Sequence, residues 1–305
     1  MAGLKTTLKW IGIVTASILG LLLLGILGLY GAGQMRLKKV YDVPFRTIPI
    51  PDDAESMAEG KRIFQYRGCE ACHGENLEGL VYMDNPALGK VITPNLTAGP
   101  GGIGVERTDD DLIRAIQHGI RPDGTPLLFM PSTEFYYLSD ADLGKVLVYI
   151  RSMPPMDNAM PPSELSFTGF VAMNIVKGIT FLPAELIPHD APRPVAPGPG
   201  LTADYGQYLA ISCLVCHGPT LSGGEIPAFP PEWPAAPNLT SGSGSRLPSW
   251  GESGFVDLIH NGKKHGRVIS GDFMPWTSYR HMTDDELRAV YLFLMSAPPV
   301  DFGNH

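Results

Sequence analysis

The sequence predicts an all-α protein in which an N-terminal transmembrane helix is followed by two similar helical domains. Three observations lead to this fold class. Residues 10–33 carry no charge and are dominated by aliphatic residues. The second half of the chain repeats motifs of the first half at an offset of 144 residues, which is the signature of a duplicated unit. Each half carries apolar residues at helical spacing and no convincing alternating strand pattern.

The first element is a predicted membrane anchor over residues 1–34. Its uncharged stretch is long enough, at about 1.5 Å per residue, to cross a bilayer core. A cleavable signal peptide is the alternative, but the apolar run far exceeds the usual core of about 7–15 residues, so a retained anchor is favoured. Lysines precede the span and basic residues also follow it closely, so charge alone does not settle the orientation.

Composition limits the classes of protein that the rest of the chain can form. A length of 305 residues suits about two domains. Charged residues make up 18% of the chain and there are 29 prolines, which favours compact domains joined by stiff connections over a charged disordered polymer. The formal net charge is −8, and every acidic residue follows the span, so no nucleic acid partner is expected.

The last helix of each half has the clearest signals. Ser139-x-x-Asp142 and Thr283-x-x-Glu286 are N-terminal capping patterns. Apolar residues follow each pattern at helical spacing, and both runs stop at a Pro-Pro pair. The sequence therefore predicts a capped C-terminal helix in each half.

Two further helices are predicted in each half. A middle helix begins near Thr108 and ends at Gly119, and its counterpart begins near Ser253 and ends at Gly262. A first helix is predicted over residues 54–66, and its counterpart over residues 202–210. Each of these first helices runs towards a cysteine motif.

All four cysteines lie in two identical motifs, CEACH and CLVCH. C-x-x-C-H is the attachment signal for c-type haem, in which two thiols one helical turn apart form thioethers and the adjacent histidine binds the iron. The sequence therefore predicts two covalently attached haem c groups. The residues that would hold them are Cys69, Cys72, His73, Cys213, Cys216 and His217. A thioredoxin-like redox pair and a zinc site built from both cysteine pairs are the alternatives.

The sixth ligand of each iron is predicted from the repeat. Of the twelve methionines, Met130 and Met274 alone lie at the same distance, 57 residues, after the histidine of their own motif. Each is followed by proline, which keeps the methionine out of helical geometry and restricts its loop. The alternative is that both are gap-filling core methionines. Since the histidines at 118, 189, 260, 265, 281 and 305 have no counterpart in the repeat, they are expected to be solvated or locally hydrogen-bonded.

Together these motifs resemble those of class I c-type cytochromes. The likeness is greater to the haem modules in the cytochrome c subunits of membrane-bound alcohol and gluconate dehydrogenases. It is carried by the two CxxCH motifs, by PNLT at 94–97 and 237–240, and by FMPxT at 129–133 and 273–277. The resemblance implies two tandem class I cytochrome c domains behind the membrane helix. Those subunits usually carry three haem motifs and a C-terminal anchor, whereas the arrangement here is closer to the dihaem subunit of a terminal oxidase.

The resemblance also implies details of each haem site. A proline carbonyl is expected to orient the ligand histidine, and Pro94 and Pro237 are the candidates. Asn95, Asn238 and Arg121 are candidates for contacts with haem propionates, with loop capping as the equal alternative. Haem c is attached on the outer side of the energy-conserving membrane in bacteria, so the domains are expected on the periplasmic or extracytoplasmic side of the cell membrane.

The domain boundaries follow from the repeat. Domain 1 is predicted over residues 45–155 and domain 2 over residues 200–305. Residues 156–199 form a proline-rich linker with a possible interdomain helix. For residues 167–187 we expect a helix packed between or under the haem domains, with membrane-surface contact and a second span as alternatives.

The expected function is electron transfer by a membrane-tethered dihaem cytochrome c. Two His/Met-ligated irons leave no open position for a small-molecule substrate, so the chain is expected to be a carrier and not an enzyme. Its expected partners are redox proteins: a respiratory dehydrogenase or quinol-oxidising complex on one side, and a soluble cytochrome or terminal oxidase on the other. The alternative is a dihaem redox enzyme of the peroxidase or thiosulfate dehydrogenase type, which requires an open position or an unusual ligand at one iron.

Overall fold

The computed structural model describes residues 2–226, 232–264 and 267–303. The chain begins with helix α1, Ala2–Leu37, which is long and apolar enough to cross a membrane. Its side chains are exposed up to about residue 28, and its last turns are partly covered by protein. The segment predicted to be an anchor therefore forms one continuous helix that extends a few residues beyond the predicted boundary at 34.

Two domains of the same architecture follow the anchor. The helices of domain 1 are α2 Ala54–Tyr66, α3 Cys69–His73, α4 Asp109–His118, α5 Ser132–Phe135 and α6 Asp140–Ser152. The helices of domain 2 are α8 Ala203–Leu209, α9 Cys213–His217, α10 Leu247–Asn261, α11 Trp276–Tyr279 and α12 Asp284–Ser296. Helix α7 belongs to the linker and is described below. The predicted all-α class and the predicted helices of both halves are confirmed.

The helix ends form where the capping signals predicted them. Ser139 accepts a hydrogen bond from the Asp142 amide at the start of α6, and Thr283 and Glu286 form a complete capping box at the start of α12. Gly119 and Gly262 end α4 and α10 in the left-handed region, with φ of 65° and 61°. Local signals therefore set these boundaries.

Helix α10 differs from its prediction at the N-terminal end. It begins at Leu247 and not near Ser253, because Pro248 occupies the first helical turn, where its missing amide hydrogen has no cost. Gly251 then breaks the helical geometry with φ 66° and ψ 175°. The regular part of the helix starts after this glycine, close to the predicted position.

Domain 1 also contains a small antiparallel sheet that the sequence did not predict. Strand β1, Val81–Asn85, pairs with β2, Gly89–Ile92, and β2 pairs with the two-residue strand β3, Glu164–Leu165. In the turn, Asn85 accepts hydrogen bonds from two backbone amides through its side chain. Such short strands, with β1 mostly exposed, lack a clear period-two pattern. A second pair, β4 Lys263–Lys264 and β5 Arg267–Val268, follows α10.

The first and last helices of each domain cross at a glycine. A Cβ atom at Gly60 in α2 would lie 2.5 Å from the Lys145 carbonyl carbon of α6 and 3.2 Å from the Tyr149 Cβ. Gly206 in α8 meets Ala289 and Phe293 of α12, the equivalent positions in the repeat, in the same way. Both helix pairs therefore pack at a distance that only glycine permits.

The two domains share a continuous hydrophobic core, and polar contacts also join them. Arg62 of domain 1 donates to both carboxylate oxygens of Glu286 in domain 2, at 2.5 and 2.8 Å. In return, the Tyr208 hydroxyl of domain 2 donates to Asp142 of domain 1 at 2.5 Å. Asp142 and Glu286 are equivalent in the repeat, so each domain offers a carboxylate from the first turn of its last helix to the first helix of the other.

The linker between the domains is attached to domain 1 and to the anchor. Helix α7, Phe167–Ile175, packs along the last turns of α1, and a 3₁₀ turn, Pro183–Leu186, follows it. Strand β3 places the start of the linker on the sheet of domain 1. The helix predicted within 167–187 therefore lies between the anchor and domain 1.

Candidate functional site

Each CxxCH motif forms its own short helix. In α3 and α9 the two cysteines are one turn apart, and all four cysteines are partly buried and none is in a disulfide. Burial raises the pKa of the Cys69 and Cys213 thiols to about 12, so these thiols are neutral. Gly74 and Gly218 end the two helices with φ of 83° and 78°. The two motifs have the same local structure.

The histidine of each motif is oriented by a proline carbonyl, as the resemblance implied. His73 Nδ1 lies 3.4 Å from the Pro94 oxygen, and His217 Nδ1 lies 2.7 Å from the Pro237 oxygen. Because a carbonyl oxygen can only accept, Nδ1 carries the hydrogen and Nε2 is left with the lone pair that binds a metal. Burial lowers the pKa of His73 to about 4, and it also lowers the pKa of His217. Both imidazoles are therefore neutral, which is the metal-binding form.

The asparagine after each of these prolines is a structural residue. Asn95 accepts from the amide and the hydroxyl of Thr97, and its amide nitrogen donates to the Met156 carbonyl at 2.8 Å. The same three bonds recur in domain 2 between Asn238, Thr240 and Val300. Both asparagines are almost fully buried. They tie the proline loop to the segment after the last helix, which is the loop-capping role.

Arg121 has a similar local role. Its guanidinium donates to the Pro126 carbonyl within its own loop, and burial lowers its pKa. The loop itself is closed by the backbone bond from Arg121 N to the Thr125 oxygen at 2.8 Å. The side chain is thus used in holding the loop after α4.

The two Met-Pro segments have matching backbones. Pro131 has φ −77° and ψ 53°, and Pro275 has φ −76° and ψ 50°. In both segments the amide two residues after the methionine donates to the methionine carbonyl at 2.7 Å, which closes a tight three-residue turn over the proline. Met130 and Met274 are partly buried and pack against the common core. The two Met-Pro loops, 144 residues apart, therefore have the same backbone geometry, as is expected if both methionines have the same role.

The residue after each proline ties its loop to the end of the middle helix. In domain 1, the buried Ser132 hydroxyl donates to the Ala115 carbonyl of α4 at 3.0 Å. In domain 2, the Trp276 ring lies directly on Gly262 at the end of α10, and its Nε1 donates to the Ile269 carbonyl at 2.9 Å. A serine and a tryptophan therefore perform the same anchoring at the same position in the repeat.

Three of the histidines outside the CxxCH motifs make side-chain hydrogen bonds within the protein. His118 and His189 share a hydrogen bond between their Nδ1 atoms at 3.0 Å, and His260 contacts the Arg280 carbonyl and Asp284. His265 and His305 lie outside the described residues. Across the described parts of the chain, no three side chains of His, Cys, Asp and Glu form a cluster that could hold a metal ion, so the zinc alternative finds no support there.

The donor set fits a c-type haem in both domains. Each site supplies two neutral thiols on one helical turn, a neutral imidazole with a free Nε2, and a thioether on a constrained loop. Sequence models agree, because residues 57–154 and 203–298 both match the family described as "Cytochrome c". The chain belongs to the cytochrome c family. Its two cytochrome c domains imply two haem groups.

Curated relatives extend the likeness beyond the single domains. The cytochrome c subunit of an alcohol dehydrogenase (quinone) from Gluconacetobacter polyoxogenes is 27% identical over 282 residues, which cover 82% of this chain and 58% of the relative. The fructose dehydrogenase cytochrome subunit of Gluconobacter japonicus is 26% identical and is covered to 55%. A protein named "Diheme cytochrome c-type" from Cereibacter sphaeroides is 26% identical, with 84% of this chain and 93% of the relative covered. The chain thus spans little more than half the length of the dehydrogenase subunits.

Sequence reasoning missed the residues that join the two sites. Arg62, Arg67 and Tyr208 lie between the domains, and the Arg67 guanidinium is buried over the Tyr66 and Tyr208 rings at 5.3 and 5.0 Å. In the sequence these residues are charged or aromatic residues in or next to the first helix of each domain. A solvated helix face has the same residue types, so they could not be recognised as interface residues. Glu134 is a further partly buried acid near both cysteine helices, and its removal from water raises its pKa.

Proposed function

We propose that this protein is a membrane-tethered dihaem cytochrome c that transfers electrons between redox proteins. The observation that carries the proposal is the duplicated site: a CxxCH helix, a histidine held by a proline carbonyl and a methionine on a closed Met-Pro turn, all with matching geometry in both domains. Haem iron held there supplies a one-electron couple between its ferric and ferrous states.

The residues of each domain have separate roles in this proposal. Cys69 and Cys72, and likewise Cys213 and Cys216, would hold the haem through thioethers. His73 and His217 would bind the iron through Nε2, because their Nδ1–H groups are already used by Pro94 and Pro237. Met130 and Met274 would supply the second ligand of each iron, and the turn over the following proline would keep each thioether in place.

Full ligation favours a carrier over an enzyme. A methionine on both irons leaves no position at which peroxide, thiosulfate or another small molecule binds. The protein's contribution is to hold both sites rigidly, so that little reorganisation accompanies the change of charge. The shared core and the reciprocal contacts of Arg62 and Tyr208 hold the two domains in one arrangement, which supports passage of electrons between them.

The relatives and α1 support a proposal for the partner and the location. Several relatives are named as cytochrome subunits of sugar or alcohol dehydrogenases, so we propose a dehydrogenase as the electron donor. A soluble cytochrome or a terminal oxidase is the proposed acceptor. Helix α1 is the proposed single-pass anchor, with both cytochrome c domains on the periplasmic side of the cell membrane.

The first experiment counts covalent haems on the full chain. Denaturing mass spectrometry and a pyridine haemochrome assay are expected to find two haems per wild-type chain. The paired variants Cys69→Ala/Cys72→Ala and Cys213→Ala/Cys216→Ala are each expected to retain one haem. A wild-type chain without covalent haem would overturn the proposal.

A second experiment tests the carrier role. The purified protein is mixed with peroxide or thiosulfate, and in parallel it is isolated from mildly solubilised membranes together with its neighbours. A carrier is expected to show no turnover alone and to bring a dehydrogenase with it. Turnover of either small molecule by the pure protein would favour the enzyme alternative.

A further inference from the structure

The α7 segment, residues 167–187, is fixed at one depth along the anchor helix. A Cβ atom at Gly33 of α1 would lie 2.5 Å from the Phe170 carbonyl oxygen, so the two helices touch backbone to backbone. The Asn174 amide donates to the Leu29 carbonyl at 2.9 Å. Phe167 stacks on Tyr30 with ring centroids 4.8 Å apart. These contacts place α7 beside residues 29–33 of the anchor.

A partly exposed group of polar contacts also connects α7 to the anchor. Arg36, at the end of α1, donates to both oxygens of Glu185 at 2.9 and 2.6 Å. The same guanidinium donates to the Met173 carbonyl and to Asn174 at 2.5 and 3.1 Å. One arginine thus connects α1, α7 and the 3₁₀ turn, and a bidentate pair of this kind holds their orientation as well as their distance.

The charges of the anchor give the depth of these contacts in a bilayer. Lys9 and Arg36 are the charged residues that bracket the apolar stretch, and they are 27 positions apart. At about 1.5 Å per residue this separation is about 40 Å, which matches a bilayer with its headgroups. Arg36 then lies at headgroup level. Tyr30, six positions earlier, lies about 9 Å deeper, and so does Phe167 stacked upon it.

Several apolar side chains of α7 and of the residue that follows it are exposed. The helix contains no charged residue. Phe167 is 47% exposed, Ile175 is 59% exposed and Val176 is 39% exposed. Lys177 follows directly, where a long side chain can extend to the headgroups. Exposed apolar side chains at this depth, beside a membrane span, have lipid as their natural neighbour.

We propose that the α7 segment is seated in the leaflet that α1 leaves at Arg36, with its exposed apolar side chains among the lipid acyl chains. The proposal rests on the membrane anchoring by α1 that is part of the proposed function. The α7 segment is then a second membrane contact beside α1. Two contacts fix the orientation of domain 1 relative to the membrane, whereas a single helix would only tether it.

The same segment supports the methionine loop of domain 1. Met173, Phe181 and Leu182 form a small core with Leu128 and Phe129, the two residues before Met130. The Phe129 amide donates to the Phe181 carbonyl at 3.0 Å, and Phe129 adopts a left-handed φ of 58°. The corresponding Phe273 of domain 2 packs on Trp233 instead. A membrane-seated α7 segment therefore holds the Met130 side of domain 1 towards the bilayer.

Cysteine accessibility in nanodiscs of phosphatidylcholine tests the proposal. The full haem-loaded chain is used at one chain per disc, so that a second copy cannot cover the segment. Ile175→Cys is the test variant, Val195→Cys is the aqueous control because Val195 is 95% exposed, and Leu22→Cys is the lipid control. The native cysteines are blocked by haem, and the unmodified chain measures any background. Labelling by a membrane-impermeant maleimide is followed by mass spectrometry.

We expect Ile175→Cys to be labelled as slowly as Leu22→Cys. Because the protein itself leaves Ile175 exposed, such protection requires lipid. If Ile175→Cys is labelled as fast as Val195→Cys and Leu22→Cys stays protected, the proposal is overturned but the anchoring by α1 is not. Rapid labelling of Leu22→Cys would instead contradict the anchoring by α1, so the two failures are distinguishable. An unchanged visible spectrum in each variant shows that the domains have folded.

Discussion

The glycines at the crossings of the first and last helices are predicted to be indispensable for each cytochrome c domain. Gly60→Ala places a methyl group 2.5 Å from the Lys145 carbonyl carbon, whereas ordinary contacts begin at 3.4 Å. The helices must therefore separate by about 1 Å, because a backbone carbonyl cannot rotate away as a side chain can. Gly206→Ala creates the same conflict in domain 2.

The size of the effect follows from two opposing terms. Overpacking costs about 1–3 kcal/mol, and the upper end applies because the obstacle is backbone. Replacing glycine by alanine inside a helix returns about 1 kcal/mol of helix propensity. The expected net loss is about 2 kcal/mol in the free energy of unfolding of the affected domain.

Guanidinium denaturation of the full chain in detergent, followed through the haem absorbance, measures this loss. Lys61→Ala is the matched control, since Lys61 is the exposed neighbour of Gly60 on the same helix. It is expected to change the free energy of unfolding by less than about 0.5 kcal/mol. If Gly60→Ala and Gly206→Ala destabilise no more than this control does, the packing of the two crossings is not as described.

Two further predictions concern the interface and pH. Arg62→Met should lower the free energy of unfolding by about 2 kcal/mol. Breaking a fully buried ion pair costs about 3–5 kcal/mol, but the loss here is smaller because Glu286 keeps its hydrogen bonds to Thr283. Arg288→Met, which breaks an exposed ion pair, should lower the free energy of unfolding by less than about 0.5 kcal/mol. If the two variants lose the same free energy, the contact of Arg62 with Glu286 does not stabilise the interface. Burial lowers the pKa of His118 from 6.5 to about 4, so the unfolded chain binds the proton first and stability should fall as pH drops through this window. His118→Phe should reduce the difference in denaturation midpoint between pH 7 and pH 4.5, and an unchanged difference would refute the assignment.

Local features of the site could be predicted from the sequence because they repeat. The CxxCH motifs, the capping patterns and the Met-Pro pairs each lie within a few residues, and the duplication separated Met130 and Met274 from ten other methionines. Pro94 and Pro237 were expected from the resemblance, and their carbonyls do orient the histidines. Methionine ligation itself stays a prediction.

Contacts between distant segments could not be predicted in the same way. Arg62 and Glu286 are 224 positions apart, and Glu286 is already explained as part of a capping box. Nothing in the local pattern shows that its carboxylate also receives an arginine from the other domain. The small sheet was missed because its third strand has two residues and comes from the linker. The position of α7 depends on contacts with α1 that are made by backbone and by single side chains.

The difference between the two Met loops illustrates the same limit. Ser132 and Trp276 occupy the same position in the repeat but differ greatly in size. In the structure each fastens its loop to the end of the middle helix, one through a hydroxyl and the other through a ring on Gly262. Trp276→Ser, which removes that ring contact, is expected to loosen the Met274 loop and so to shift the midpoint of the second haem. An unmoved midpoint would discard this role.

The central claim is that Met130 and Met274 are the distal ligands of the two irons. Met130→Leu and Met274→Leu remove the sulfur and nearly keep the volume, and Met153→Leu, at a core-packed methionine beyond the α6 helix, is the matched control. Redox-titrated optical and EPR spectra of the full chain are predicted to show two low-spin His/Met centres in the wild type. Each ligand variant should convert one centre to an open, high-spin form, and the control should convert none. A ligand variant that keeps both low-spin centres, or a wild-type protein with a high-spin or bis-histidine haem, would contradict the claim.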